Sequence, residues 1–257
     1  MKIYLGLVCI VLSSALFFVQ AKELQLLKLS PSLAAKTNCL NPEYLVFLPK
    51  QKDSKMASLL IYLHGGGGVG SDVRRVGMQA NALVDGINQF GKGPCFVVVP
   101  QCKKSKKDRG RGTWQAEDLN YLLDELLEKL PIDPKKVYLT GNSMGGYGSW
   151  LWGGHSPGRF AAIAPIVGGI GPGGPKDVTP DLGQWAANLA KVPVYAFAGA
   201  KDKVVPAGRS ERIVAAIRKA GGKQVKIKVY PDQGHNARQV VYSTREFYDW
   251  MFSKKSK

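Results

Sequence analysis

Residues 135–146 read Lys-Lys-Val-Tyr-Leu-Thr-Gly-Asn-Ser-Met-Gly-Gly, a short apolar run ending on a serine with a glycine two positions to either side. Few local sequences constrain a fold so strongly. A strand must run into a turn so sharp that only glycine fits beside it, and a helix must leave that turn. The turn lifts the serine hydroxyl clear of the sheet and aims the next backbone N–H at a developing oxyanion. Spacing alone does not decide the matter, because Gly154-His155-Ser156-Pro157-Gly158 repeats it. Context separates the two. Val137–Thr140 before Ser143 reads as a buried strand, whereas a glycine- and tryptophan-rich helical segment precedes Ser156. Pro157 also has no N–H to offer an oxyanion. Ser143 is the candidate nucleophile, and Ser156 reads as a helix-ending turn.

The remaining pattern fits a sheet that could hold such a turn. Strand-like runs fall at Tyr44–Leu48, Leu59–His64, Phe96–Pro100, Val137–Thr140, Ala161–Val167, Val194–Gly199 and Val225–Tyr230, with helical or loop segments between them. Alternation of this kind predicts a mostly parallel sheet covered on both faces, an α/β architecture. The clearest helix is 117–130, where Leu119, Leu122, Leu123, Leu126, Leu127 and Leu130 follow an i, i+3, i+4, i+7 stripe and Pro131 stops it. A second is expected from Gly208 to Ala220, closed by Gly221-Gly222. A third begins near Ala237 and carries Val240, Val241, Phe247, Tyr248 and Met251. A glycine- and proline-rich segment, Gly168–Pro180, precedes a short helix at Leu182–Ala190. About 25 residues between strands are too few for a cap with its own core, so an open site suited to bulky substrates is expected.

The first 21 residues read as a leader. Lys2 gives the positive start, Ile3–Val19 is almost wholly apolar, and Val19-Gln20-Ala21 fits a cleavage site. The run is short for a comfortable membrane span, so cleavage after Ala21 is expected, with an uncleaved anchor as the alternative. That leaves one domain, 22–257, and a secreted or periplasmic location. The net charge is +17. Much of it sits in the loop 103–111 (Lys103, Lys104, Lys106, Lys107, Arg109, Arg111) and in the tail. The plain reading is a solvated surface; the sharper one is contact with an anionic polysaccharide or cell surface. Nucleic acid is excluded as a partner, because the basic loop lacks interleaved aromatics and the chain reads as exported. Of four cysteines, Cys9 lies in the leader. Cys95 and Cys102 bracket an extended strand of roughly 23 Å, beyond disulfide reach, so any bridge must use Cys39. No cysteine or histidine cluster suggests a metal.

A serine nucleophile needs a base, and the base an orienting carboxylate. Three histidines are available. His64 sits in His64-Gly65-Gly66-Gly67-Gly68 directly after a strand, where the glycines would let backbone N–H groups approach a carbonyl oxygen. His155 reads as a local packing or capping residue. His235, in Asp232-Gln233-Gly234-His235-Asn236, follows a strand and can swing over the strand ends, where open α/β sheets bind ligands. It is the expected base. Asp202 follows strand 194–199 and is the expected acid; Asp232, in one tight loop with His235, is the runner-up, and Asp177 and Asp181 are weaker.

Beyond the serine turn, the chain carries Tyr62-Leu63-His64-Gly65-Gly66-Gly67-Gly68, Val99-Pro100-Gln101-Cys102 with Trp114, Arg159-Phe160-Ala161-Ala162, Asp202-Lys203-Val204-Val205-Pro206, Gly234-His235-Asn236-Ala237 and Tyr248-Asp249-Trp250. With these it resembles the α/β-hydrolases, in the esterase group that includes polyhydroxybutyrate-depolymerase-like and feruloyl-esterase-like enzymes and predicted secreted peptidases. The resemblance spans most of 42–252. It implies an α/β-hydrolase fold without a large cap domain, Ser143 as nucleophile, Asp202 and His235 as its partners, and an oxyanion hole from the N–H groups of Met144 and Gly66. Asn142 and Arg238 depart from the group's usual residues. If strand 44–48 lies antiparallel beside 96–100, the same topology implies a Cys39–Cys102 disulfide with Cys95 free. Trp114 is expected to line the substrate pocket; Gln101 either binds substrate or holds the basic loop. The expected activity is hydrolysis of carboxylic esters, some of them polymeric, through an acyl-enzyme, with no cofactor. Peptidase activity of the same triad and noncatalytic binding of anionic polymers are the alternatives.

Overall fold

The computed structural model describes residues 24–49, 56–104, 112–170 and 182–256. The expected leader, Asp177, Asp181 and most of the basic loop 103–111 lie outside these residues. Eight strands, β1 (Leu24–Lys28), β2 (Leu40–Phe47), β3 (Ala57–Leu63), β4 (Cys95–Cys102), β5 (Ile132–Asn142), β6 (Ala162–Ile166), β7 (Val194–Gly199) and β8 (Val225–Tyr230), make one sheet. Its order is β1-β2-β4-β3-β5-β6-β7-β8. The pairs β1–β2 and β2–β4 are antiparallel and the other five are parallel.

Both faces of the sheet are buried, which explains the nearly continuous apolar runs of its central strands. Alternate residues serve opposite faces. Leu59, Ile61 and Leu63 of β3 join one core with Val98, Val137 and Leu139. Leu60 and Tyr62 join the other with Val97, Val99 and Tyr138. The first core is closed by the leucine stripe of α3 (Ala116–Lys129), by α4 (Met144–His155), α5 (Leu182–Leu189) and α6 (Gly208–Lys219), with α1 (Pro31–Lys36) at its edge. The second is closed by α2 (Arg74–Phe90), α7 (Arg238–Tyr242) and α8 (Arg245–Phe252).

Three features differ from expectation. The helix expected from Ala237 onward is two helices, because Thr244 is extended (φ −104°, ψ 130°). Ser243 and Thr244 donate their hydroxyls to the carbonyls of Gln239 and Val241, which competes with continuation of the helix. Strand β1 is a further element that the sequence pattern did not mark: it is an edge strand in which Leu24 and Leu26 are exposed and only Leu27 packs partly on the core. The disulfide implied by the resemblance is not formed. Strands β2 and β4 do run antiparallel, with Leu40 opposite Cys102, yet Cys39, Cys95 and Cys102 are free thiols. The hydrogen bond pairing Lys103 N–H with Cys39 O sets Cys39 one residue out of step with Cys102. The Cys102 thiol is turned to Lys103 O at 3.6 Å, and its proximity together with burial pushes the Cys39 thiol far up. Among the described residues no helix is long and apolar enough to cross a membrane.

Candidate active site

Strand β5 ends at Asn142, and α4 begins at Met144, leaving Ser143 alone at the turn. Its backbone lies at φ 56°, ψ −119°, a region L-residues rarely occupy. The flanking glycines are demanded by packing. A Cβ on Gly145 would stand 1.8 Å from the carbonyl oxygen of Leu63, and one on Gly141 would stand 2.5 Å from that of Gly145. Helix α4 therefore starts against the end of β3 at a distance no side chain permits.

The structure brings Ser143, His235 and Asp202 together at the carboxyl ends of β5, β8 and β7. Ser143 Oγ lies 2.9 Å from His235 Nε2, and His235 Nδ1 lies 2.8 Å from Asp202 Oδ2. A carboxylate only accepts, so Nδ1–H donates to Asp202 and the Nε2 lone pair faces the serine O–H. The other carboxylate oxygen accepts the N–H groups of Val204 and Val205 at 2.8 and 2.9 Å. The Asp202 side chain is fully buried while that of His235 is one-third exposed, which leaves the imidazole accessible and its orienting group shielded. Gly199 lets the two loops meet: a Cβ there would sit 2.4 Å from Gln233 O. Asp232, the runner-up acid, instead points outward and pairs with Lys201 at 2.8 Å.

Facing the serine is the loop after β3. His64 is fully buried. Its Nε2 accepts the N–H of Cys102 at 3.0 Å, so Nδ1–H donates to Gly65 O at 2.7 Å. Burial lowers its pKa to about 4, with the Gly65 contact opposing in part, so this ring is neutral. The loop folds around it: a Cβ on Gly68 would strike the ring at 2.4 Å. The N–H groups of Gly65 and Gly68 are taken by Gln79 Oε1 and Gly65 O. Those of Gly66 and Gly67 open a 3₁₀ turn and Met144 N–H opens α4, positions where the helical pattern supplies no acceptor. Gly65, which precedes them, borders the serine: a Cβ on it would stand 3.5 Å from Ser143 Cβ.

Two expectations are corrected. Trp114 does not line a pocket: it is 1% exposed, packs on the His64 ring at 4.9 Å, and donates Nε1–H to His64 O. Gln101 is equally buried, and both ends of its amide are used within the protein. Nε2 donates to the carbonyls of Gly68 and Asp72, and Oε1 accepts from Asn41. It holds the glycine loop. His155 is exposed, with Nδ1 2.9 Å from Ser156 Oγ at the far end of α4. Sequence reasoning missed Gln79 because α2 itself was unread, and it missed Tyr62, which looked like an ordinary strand residue. Two cavities lie around Gly93 and Cys95 at the amino-terminal ends of β3 and β4, away from this constellation. Among the described residues no cluster of three or more His, Cys, Asp or Glu could hold a metal.

A sheet of this order, with a serine turn after β5 and the other two residues after β7 and β8, defines an α/β-hydrolase fold. A model of the dienelactone hydrolase family matches residues 103–240, and the chain belongs to that family. A Methylorubrum extorquens protein provisionally named carboxymethylenebutenolidase is 33% identical over 109 residues, 40% of this chain and 34% of its own. The mouse S-formylglutathione hydrolase is 26% identical over 135 residues, 49% of this chain and 47% of its own. The chain thus spans between a third and a half of the length of these relatives. Among solved structures, a thermostable esterase superposes with a TM-score of 0.73 at 24% identity, covering 90% of this chain and 63% of that one. A ferulic acid esterase does so at 0.67 and 19%, covering 90% and 99%. At these identities the likeness is one of fold.

Proposed function

We propose that the chain is a serine hydrolase that cleaves carboxylic esters through an acyl-enzyme. The observation that carries this reading is His235, hydrogen-bonded to Ser143 on one ring nitrogen and to Asp202 on the other. In the proposed cycle, His235 Nε2 takes the Ser143 proton as Oγ attacks the ester carbon. The carbonyl oxygen becomes an oxyanion, held by the N–H groups of Met144 and Gly66. Asp202 stabilises the imidazolium, which then protonates the departing alcohol. Water repeats the sequence on the acyl-enzyme, with His235 as base and Ser143 as leaving group. The exposed imidazole edge and the single described helix between β6 and β7 support an open cleft that admits bulky or polymeric esters.

As part of the same reading, residues 1–21 act as a leader that sends the domain out of the cytoplasm, and loop 103–111 meets anionic polysaccharide at the cell surface. The composition of those segments supports both statements.

The test is labelling with a fluorophosphonate probe, with the adduct located by mass spectrometry in wild type, Ser143→Ala and Ser156→Ala. Labelling lost only in Ser143→Ala supports the proposal. It also justifies a substrate screen of 4-nitrophenyl esters, feruloyl esters, butenolides, polyesters, S-formylglutathione and peptides. A wild type that never labels overturns it and moves noncatalytic binding of anionic polymers ahead.

A further inference from the structure

Asn142 occupies the position between Gly141 and the nucleophile, and it is 5% exposed. A buried primary amide brings donors and acceptors that an apolar residue of the same volume would not, and each must be satisfied or cost stability. Its presence is informative only if it holds something, and the structure shows what it touches. Asn142 Oδ1 accepts the hydroxyl of Tyr62 at 2.5 Å. Tyr62 is fully buried on β3, opposite Thr140 in register and two residues before His64. Burial pushes its hydroxyl well above the usual range, with nearby Arg238 opposing, so it remains a donor. The other end of the amide faces the glycine loop. A Cβ on Gly65 would stand 3.0 Å from Asn142 Nδ2, 3.3 Å from Asn142 O and 3.5 Å from Ser143 Cβ.

Gly65 is therefore fixed on three sides. Its carbonyl accepts from His64, its N–H donates to Gln79, and its α-carbon rests on Asn142. The next residues, Gly66 and Gly67, carry N–H groups at the start of the 3₁₀ turn, that of Gly66 being the oxyanion donor of the proposed cycle. Their distance from Met144 N–H depends on where Gly65 sits, and Gly65 sits on a side chain that precedes Ser143 by one residue. We propose that Asn142, oriented by the Tyr62 hydroxyl, is a positioning residue that sets the width of the oxyanion hole. It touches neither substrate nor leaving group. It acts by keeping the donor on the β3 loop and the donor on α4 at a fixed separation across the acyl oxygen. This inference rests on the acyl-transfer reading of Ser143.

A role of this kind has a signature that mere packing lacks. Oxyanion donors act on the transition state more than on the bound ester, so their displacement lowers kcat with little change in KM. Asn142→Leu, which keeps the volume and drops the amide, is expected to lower kcat on 4-nitrophenyl butyrate by about 10- to 100-fold. KM should stay within about twofold, and affinity for a trifluoromethyl ketone should fall in parallel with kcat/KM. Tyr62→Phe should produce a smaller loss of the same kind, and the double variant should be no worse than Asn142→Leu alone, because both act through one contact. Should the leucine variant fail to fold, Tyr62→Phe and Asn142→Ser carry the same readouts. Three outcomes overturn the inference while leaving the proposed function intact: wild-type kcat in a folded Asn142→Leu, a rise confined to KM, or a lowered melting temperature with unchanged turnover. A wild type that is not labelled by fluorophosphonate overturns both.

Discussion

Helix α4 begins and ends on a serine set between glycines, and the two ends could hardly be more different in what surrounds them. At the amino end, Ser143 sits at positive φ, its hydroxyl on His235, its neighbouring glycines pressed against backbone. At the carboxyl end, Ser156 has φ −132°, and its hydroxyl meets Asn120 and the exposed His155. Both serines have a histidine within hydrogen-bond distance. Only one of those histidines has its second nitrogen on a buried carboxylate, and only one serine stands at positive φ at the start of an α-helix. The glycine spacing is shared; the strand before it, the helix after it and the acid behind the base are not.

The sharpest way to break this comparison is to remove each hydroxyl. Ser143→Ala should lower kcat on an active ester by about 10⁴- to 10⁶-fold. Ser156→Ala, tested on the same substrate, should leave it within about twofold, since that hydroxyl lies a helix length of about 18 Å from the chemistry. Comparable losses at both positions would contradict the assignment. Asp202→Asn comes next. Its side chain keeps the shape but can donate to His235 Nδ1, favouring the wrong tautomer, and a loss of about 10³- to 10⁴-fold in kcat is expected at neutral pH. Asp232→Asn, which breaks only an exposed pair with Lys201, should change kcat by less than about twofold. The reverse ranking would move the acid to the His235 loop.

These residues were legible because their chemistry is tied to local order: an apolar strand, a glycine-flanked serine, an aspartate and a histidine each just past a later strand. What failed to read was decided by tertiary contact. Trp114 and Gln101 looked like pocket residues because they lie beyond and at the carboxyl end of β4, but the His64 ring and the glycine loop needed a wall and a clamp. Helix α2 has Val76, Ala80, Leu83 and Val84 buried at helical spacing, but Gly77 and Gly86 lower its helix propensity and no side chain caps its start. Gly86 is required there by the Tyr248 hydroxyl and the Tyr242 carbonyl, neighbours that are remote in sequence.

Glycine itself sharpens the contrast between the two ends of α4. Gly145→Ala would drive a methyl into the Leu63 carbonyl, where backbone meets backbone and neither can yield. A loss above about 4 kcal/mol, enough to abolish soluble folding, is expected from urea melts or expression trials. Gly158, at the equivalent place after Ser156, has nothing within 4 Å of an added Cβ. Gly158→Ala should shift stability by no more than about 0.5 kcal/mol. Equal tolerance at both sites would mean that the tight approach of α4 to β3 is not what shapes the serine turn.

The smallest expected effect separates His155 from His64, the two histidines that do not contact Asp202. His155 is exposed and hydrogen-bonds to the adjacent Ser156, so His155→Ala should cost within about 0.5 kcal/mol. His64 is buried, and burial lowers its pKa from 6.5 to about 4. Between those values the unfolded chain takes up a proton that the folded chain refuses. Stability from this group is therefore complete above about pH 6.5, declines as pH falls toward 4, and levels off below that. Across the window the loss is roughly 3 kcal/mol, from about 1.4 kcal/mol per pH unit. Carboxylates also lose their native contacts in acid, so the measurement is the difference between urea unfolding of wild type and His64→Gln at pH 7.5, 6, 5 and 4. The variant starts lower but should decline less steeply, and the two curves should converge as pH falls. Parallel curves would mean that the glycine loop opens to admit the proton, and the loop facing Ser143 would then be a yielding element rather than a fixed one.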